Sequence, residues 1–153
     1  MCDHAERARE LFEAGYNCSQ AVFGAFTDLT GYDLDSAMRL SSSFGGGMGR
    51  MREVCGAVSG MFMVLGVLYG YSDPCAKEEK TEHYKNVQRL AEEFKEIYGS
   101  VICRELLGSK QGGLGHVPAD RTPEYYNARP CTRICMDCAE ILDRFIKENP
   151  IKR

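Results

Sequence analysis

VCGAVSGMFMVLGVLYGY, Val54 to Tyr71, runs for eighteen residues without a charge, and its reading decides the fold. The length is marginal for a membrane span, and Gly56-x3-Gly60 and Gly66-x3-Gly70 have the small-residue spacing of closely packed membrane helices. The segments on both sides, however, are charged and amphipathic, and no basic cluster marks one flank. The stretch therefore reads as the central helix of a globular bundle, from about Met51 to Leu68, buried on all sides, with glycines that let neighbouring helices approach.

Outward from that helix the helical period recurs. His4 to Ala14 places Ala5, Ala8, Leu11 and Phe12 on one face and stops at Gly15, as a C-terminal capping glycine would stop it. Asn17 is a good cap for a second helix in which Cys18, Ala21, Val22, Ala25, Phe26 and Leu29 share a face, closed by Thr30-Gly31. Another helix is expected over Asp35 to Ser42, before the glycine run FGGGMGR at 44–50. Beyond the apolar stretch, Asp73 and Pro74 suit the cap and first position of a charged helix, with Val87, Leu90, Ala91, Phe94 and Ile97-Tyr98 as its apolar stripe and Gly99 as its stop. Ser100 can cap the short VICRELLG. Residues 108–129 read as loop, and Pro130 opens a last helix that runs until Asn149-Pro150. No strand pattern competes, so the expectation is an all-α, single-domain helical bundle spanning residues 1–153.

The chain is 153 residues long with a formal net charge of −3, which gives no electrostatic footprint for nucleic acid or an anionic membrane surface. The charged, amphipathic N-terminus does not read as a secretory signal, so the expected compartment is the cytoplasm. Eight cysteines are many for a reducing compartment, where structural disulfides are rare, and they shift the expectation to metal binding or thiol redox chemistry.

CTRICMDC, residues 131–138, sets three of those cysteines at C-x3-C-x2-C. On a helix Cys131, Cys135 and Cys138 fall within an arc of roughly 60°. Three thiolates there could share a metal, but Leu142 and Phe145 continue the same face, and free cysteine packs well as a small hydrophobe. The spacing also matches the cluster loop of radical S-adenosylmethionine enzymes; the barrel strand that precedes that loop is missing here. Covalent haem is not expected, because Ala139 follows Cys138 where c-type attachment needs histidine.

The starts of the expected helices carry a second pattern. Cys18 follows the cap Asn17, Cys103 lies three residues beyond Ser100, Cys131 follows Pro130, and Cys55 lies within one or two turns of the glycine loop, near Arg50 and Arg52. Unpaired N–H groups and the helix dipole favour negative charge there, and hence the thiolate that binds metal or attacks disulfides. Cys75 also follows an expected cap and is a possible fifth participant, whereas Cys2 lies at a terminus.

The segments GYNCSQAV (15–22), FGGGMGRMREVCGAVSG (44–60), CRELLG (103–108) and CTRICMDCAEIL (131–142) resemble a family of small proteins assigned a redox role and named for a C…GCAxxG…C…C pattern. The resemblance spans nearly the whole chain and falls on Cys18, Cys55, Cys103 and Cys131. It departs at Val54-Cys55-Gly56-Ala57, where the glycine follows the cysteine. It implies an all-helical fold, a redox role and four converging cysteines that hold an iron–sulfur cluster, with a similar domain attached to a multihaem cytochrome.

Three readings follow. The four cysteines bind an iron–sulfur cluster or another thiophilic metal such as zinc for electron transfer or redox sensing, with an unidentified redox partner; or they cycle as dithiol and disulfide without metal; or the bundle is a non-redox interaction module with structural zinc or none. FGGGMGR lacks the lysine and Ser/Thr of a P-loop, so no nucleotide is expected, and the run reads as a close-packed turn presenting Cys55. Of the three histidines, His116 could become a ligand only by tertiary approach, and His4 and His83 have no partner histidine at i+4. Tyr125-Tyr126 are expected to pack the loop onto the bundle. The Gly-x3-Gly spacing leaves room for a homodimer.

Overall fold

Residues 3–110 and 115–152 are described by the computed structural model. The N-terminal half supplies α1 (His4–Glu13), α2 (Cys18–Ala25), α3 (Thr27–Thr30), α4 (Leu34–Ser41), the single turn α5 (Gly45–Met48) and the apolar α6 (Gly56–Tyr69). The remainder supplies α7 (Lys77–Tyr98), α8 (Cys103–Leu107), α9 (Pro123–Ala128) and α10 (Cys131–Glu148). Among the described residues there is no β-strand; one isolated antiparallel bridge joins Val54 to Ile102. The fold is all-α.

Helix starts are set by side-chain caps, each satisfying an amide that the helix leaves without a partner. Asp3 accepts from the Glu6 N–H at 3.0 Å. Asn17 and Gln20 form a reciprocal capping box, each side chain accepting from the other's backbone N–H at 2.9 and 3.0 Å. Asp33 accepts from the Ser36 N–H at 2.9 Å and starts α4. The expected second helix does not run unbroken to Leu29: the backbone leaves helical geometry at Phe26 (φ −106°, ψ 20°), where the buried ring stacks on His4.

Helix α6 begins at Gly56, five residues later than expected, because residues 46–52 are occupied by a left-handed turn. Its first six residues are buried all round. Farther along, Val67 is exposed, and a Cβ placed on Gly66 would meet nothing within 4 Å. Of the two glycine pairs only the first serves close approach to another helix; a Cβ on Gly70 would collide only with the Gly66 backbone of its own helix. A Cβ on Gly60 would lie 2.8 Å from the Ser19 carbonyl oxygen, so α2 and α6 pack nearly backbone to backbone. Among the described residues no helix is long and apolar enough to cross a membrane.

Helix α7 starts at Lys77, not at Pro74. The Asp73 carboxylate accepts from the Cys75 N–H at 2.9 Å in a tight turn, which leaves Cys75 exposed and outside any helix. Along α7, Leu90 and Phe94 are fully buried, but Ile97 points to solvent at 53% exposure and does not belong to the stripe. The core gathers Phe12, Phe23, Met61, Leu65, Ile134, Ile141 and Leu142 between α1, α2, α6, α7 and α10. Each such side chain contributes about 1.5–3 kcal/mol by leaving water.

A polar contact pins α1 to both α3 and α10. His4, 6% exposed, has Nδ1 2.8 Å from Asp143 Oδ1 and Nε2 3.0 Å from the Asp28 carboxylate. Burial opposes protonation, but the bonds to Asp143 and Asp28 outweigh it and hold the imidazole pKa above its ordinary 6.5. A histidine raised on folding contributes stability that is complete below the ordinary value and lost as pH climbs through the folded one. The denaturation midpoint of the wild type is therefore expected to fall with rising pH over that window. His4→Asn should be less stable by about 1.5–3 kcal/mol at low pH and should lack this slope. A variant that keeps the wild-type slope would remove His4 as its source.

Candidate functional site

A cavity of about 240 Å³ opens where four helix starts meet, and its wall includes Cys18, Cys55, Cys103 and Cys131. Cys18, Cys103 and Cys131 are the first residues of α2, α8 and α10, and Cys55 is the cap residue immediately before α6. Cys55 thus sits at the junction itself rather than a turn inside the helix.

Two local devices bring these positions together. Around the Val54–Ile102 bridge, the Cys55 N–H donates to the Val101 carbonyl at 2.7 Å and the Cys103 N–H to the Glu53 carbonyl at 2.6 Å. A minimal antiparallel ladder therefore sets two cysteines side by side just before their chains enter α6 and α8. The second device is the glycine run. Gly46, Gly47, Met48, Gly49 and Arg50 all have φ between 57° and 70°, a left-handed turn closed by Glu53 N–H to the Gly47 carbonyl at 2.9 Å. Such a turn costs roughly 1–2 kcal/mol for each residue with a Cβ, which is why glycine dominates it. A Cβ on Gly47 would lie 2.7 Å from the Cys103 Cβ, and one on Gly56 would lie 2.8 Å from the Phe44 carbonyl oxygen and 3.3 Å from the Cys18 Cβ. The glycine that follows Cys55, the point of departure from the C…GCAxxG…C…C order, is therefore what lets the Cys18 helix approach.

The three cysteines of α10 separate by depth. Cys131 lines the cavity, while Cys135 and Cys138 have no exposure and form a sulfur layer behind it. The Cys135 thiol lies 3.9 Å from the Cys18 carbonyl oxygen, and the Cys131 and Cys135 thiols both bear on the ionisation of Cys18. All seven described cysteines are free thiols. Cys2 lies outside the described residues.

Helix starts alone predict easily ionised thiols; the assembled site reverses that expectation. Burial pushes the Cys55 thiol up to about 12, against the amides of Val58 and Ala57, which favour the thiolate. Cys131 is raised chiefly by its hydrogen bond with Cys18, then by burial. For Cys18 the bond to Cys131 lowers the pKa, but the contact with Cys135 and burial outweigh it. Cys103 is raised by burial and opposed by Arg52, whose Nη1 lies 3.7 Å from the sulfur. Desolvation penalises the charged form, and several thiols in one place cannot all ionise without a counter-charge.

That counter-charge comes from two arginines noted beside Cys55 in the sequence, Arg50 and Arg52, and from two that the sequence reading did not select, Arg121 and Arg129. Arg50, Arg52, Arg121 and Arg129 line the same cavity together with His116 and Tyr125, and no Asp or Glu is among its described lining residues. Arg121 is fixed by donating to the carbonyls of Phe12 and Tyr16 at 2.9 Å each, and its guanidinium lies 4.4 Å over the Phe12 ring. Tyr126 packs edge-on against Phe12 at 5.7 Å between centroids, so the tyrosine pair does tie its segment to α1. This segment contains α9, absent from the loop reading although Thr122-Pro123 is a cap followed by a first-turn proline, and the Thr122 hydroxyl accepts from the Tyr125 N–H at 3.1 Å. Among the described residues no three His, Cys, Asp or Glu side chains are grouped so as to hold a single metal ion.

A family model described as "Putative redox-active protein (C_GCAxxG_C_C)" matches residues 16–145, a span that contains all four cavity cysteines and the glycine turn. No curated protein and no solved structure matches the chain.

Proposed function

The chain belongs to this redox-active family, and from that premise we propose that Cys18, Cys55, Cys103 and Cys131 together hold an iron–sulfur cluster for electron transfer or redox sensing. The observation that carries the reading is that these four thiols, from four separate helix starts, line one cavity. Its volume is many times the roughly 30 Å³ share of one water, which suits a multi-atom group. A single zinc would need its donors about 2.3 Å from one point, and no such grouping exists among the described residues. When bound, a cluster supplies one-electron chemistry at a potential set by local charge, hydrogen bonds and solvent access. The chain's part is to offer four soft donors, to shield them from water behind α2, α6 and α10, and to offset their negative charge with the guanidiniums of Arg52, Arg121 and Arg129.

A second reading rests on the contact between the Cys18 and Cys131 thiols. Their oxidation would release two protons and two electrons to an incoming disulfide, which would leave as two thiols. The raised pKa values of both disfavour it, since the thiolate is the nucleophile.

Anaerobic purification, visible absorption and analysis for iron, sulfide and zinc separate the readings. A brown protein with iron and acid-labile sulfide in similar amounts is the expected result. A protein that stays colourless and metal-free after reconstitution, and loses two thiols in a redox titration, would replace the first reading with the second.

A further inference from the structure

The two walls of the cavity are held in different ways. One belongs to the bundle and carries Cys18, Cys55 and Cys103 at the starts of α2, α6 and α8. The other is the segment 115–129, which contributes His116, Pro118, Ala119, Arg121 and Tyr125. None of the residues 115–129 is buried, and 115–120 are all exposed, so core packing does little to hold the segment. Hydrogen bonds to distant carbonyls hold it instead. The Arg121 guanidinium donates to those of Phe12 and Tyr16, and the Tyr126 hydroxyl to those of Phe12 and Glu13 at 3.3 and 3.2 Å. These acceptors stand at and just beyond the C-terminus of α1, where a helix leaves carbonyls without partners and favours a cation. At the other end Arg50 donates to the carbonyls of Gly115 and Val117. Beneath this strap Cys55, Cys103 and Cys131 keep only 5, 7 and 8% exposure, although all three border the cavity.

We propose that residues 115–129 form a gate over the thiol cavity and that Arg121 is its latch. Lifting the segment breaks a few hydrogen bonds and exposes little apolar surface, so this opening lies at the low end of local stability. The bundle wall, in contrast, yields only when the core does. Cys135 and Cys138 have no exposure and do not line the cavity, so an open gate leaves them covered. Opening admits a ligand to sulfurs that are sheltered in the closed form, and closure then excludes water from them. The gate governs access to the thiols whatever they hold, and so does not rest on the cluster reading.

The test labels the reduced, metal-free, full-length protein with N-ethylmaleimide and follows each cysteine by peptide mass spectrometry. In the wild type, labelling of Cys55 and Cys103 should be nearly independent of low urea concentrations, as a local opening requires, while labelling of Cys135 and Cys138 should rise steeply with urea. Arg121→Gln should speed labelling of Cys55 and Cys103 by about 10- to 100-fold, the worth of one hydrogen bond from a charged donor. Leu90→Ala, in the core on α7 and away from the cavity, is the matched control. It should speed Cys135 and Cys138 and leave Cys55 and Cys103 unchanged. The wild-type urea series keeps the test decisive if Arg121→Gln folds poorly. A shared urea dependence for all four cysteines would overturn the gate, and equal Cys55 and Cys103 rates in Arg121→Gln and wild type would overturn the latch. Because the readout needs no metal, gated labelling in a chain that never loads a cluster would sustain this inference while the cluster reading fell.

Discussion

Gly47→Ala is expected to destabilise the protein by roughly 2–5 kcal/mol, combining about 1–2 kcal/mol for a Cβ in left-handed backbone with 1–3 kcal/mol for overpacking. The backbone at Gly47 has φ 70°, and its added Cβ would meet the Glu53 amide nitrogen at 2.8 Å, the Arg52 Cα at 2.9 Å and the Cys103 Cβ at 2.7 Å. None of these is the far end of a flexible side chain, so the contact cannot be relieved by a rotamer change. Gly49→Ala is the matched comparison: φ is 57°, but its nearest heavy atom would be the Ser43 carbonyl oxygen at 3.8 Å, so only the conformational part remains. Urea denaturation should show a much larger fall in midpoint for Gly47→Ala than for Gly49→Ala at similar slope. Equal midpoints for the two variants would mean that Cys103 is not pressed against this turn.

The second large effect concerns the sulfurs. Ser at Cys18, Cys55, Cys103 or Cys131 should each reduce iron and sulfide retention by more than the roughly 10–100-fold that the loss of an outer-shell partner costs a metal site. Cys75→Ser, on an exposed turn, should load as the wild type does. Cys135→Ala and Cys138→Ala should cost stability through lost packing, about 1 kcal/mol each, and leave the iron-to-sulfide ratio unchanged. If Cys135→Ala and Cys138→Ala abolish loading while Cys103→Ser does not, the ligand set is the C-terminal triplet and the dispersed site is wrong. Reconstitution of all seven variants in one series, with far-ultraviolet circular dichroism to confirm folding, decides between the two sets.

Local signals in the chain revealed helices wherever a cap and a period coincided. Asn17 and Pro130 marked starts that the structure places within a residue. Where a cap-like residue served a turn instead, as Asp73 does, the start was misjudged, because an Asx turn and a helix cap use the same side-chain acceptor. The glycine run was legible as a close-packed turn, but not as left-handed through Met48 and Arg50, since non-glycine residues rarely adopt that conformation and only the surrounding structure holds them there. Placing Cys18, Cys55, Cys103 and Cys131 at helix starts was possible from pattern alone; their high pKa values were not, because burial is a property of the assembled core. The arginine side of the cavity was hidden for a related reason. Arg121 and Arg129 lie in a segment with little period, and their significance comes from Phe12 and Tyr16, more than a hundred residues away, which hold Arg121 in place.

The bridge between Val54 and Ile102 also bears on how the molecule comes to be folded. It closes a loop of nearly fifty residues with two hydrogen bonds, and the entropy of such a closure must be met before those bonds return anything. The helices on either side can form and pack through contacts near in sequence, whereas Cys55 and Cys103 meet only once α7 has returned the chain across the bundle. The expected consequence is that the helices gain protection before the sulfurs are gathered, and pulsed hydrogen exchange during refolding, with the Cys55 and Cys103 amides protected later than those of α2 and α6, would show it.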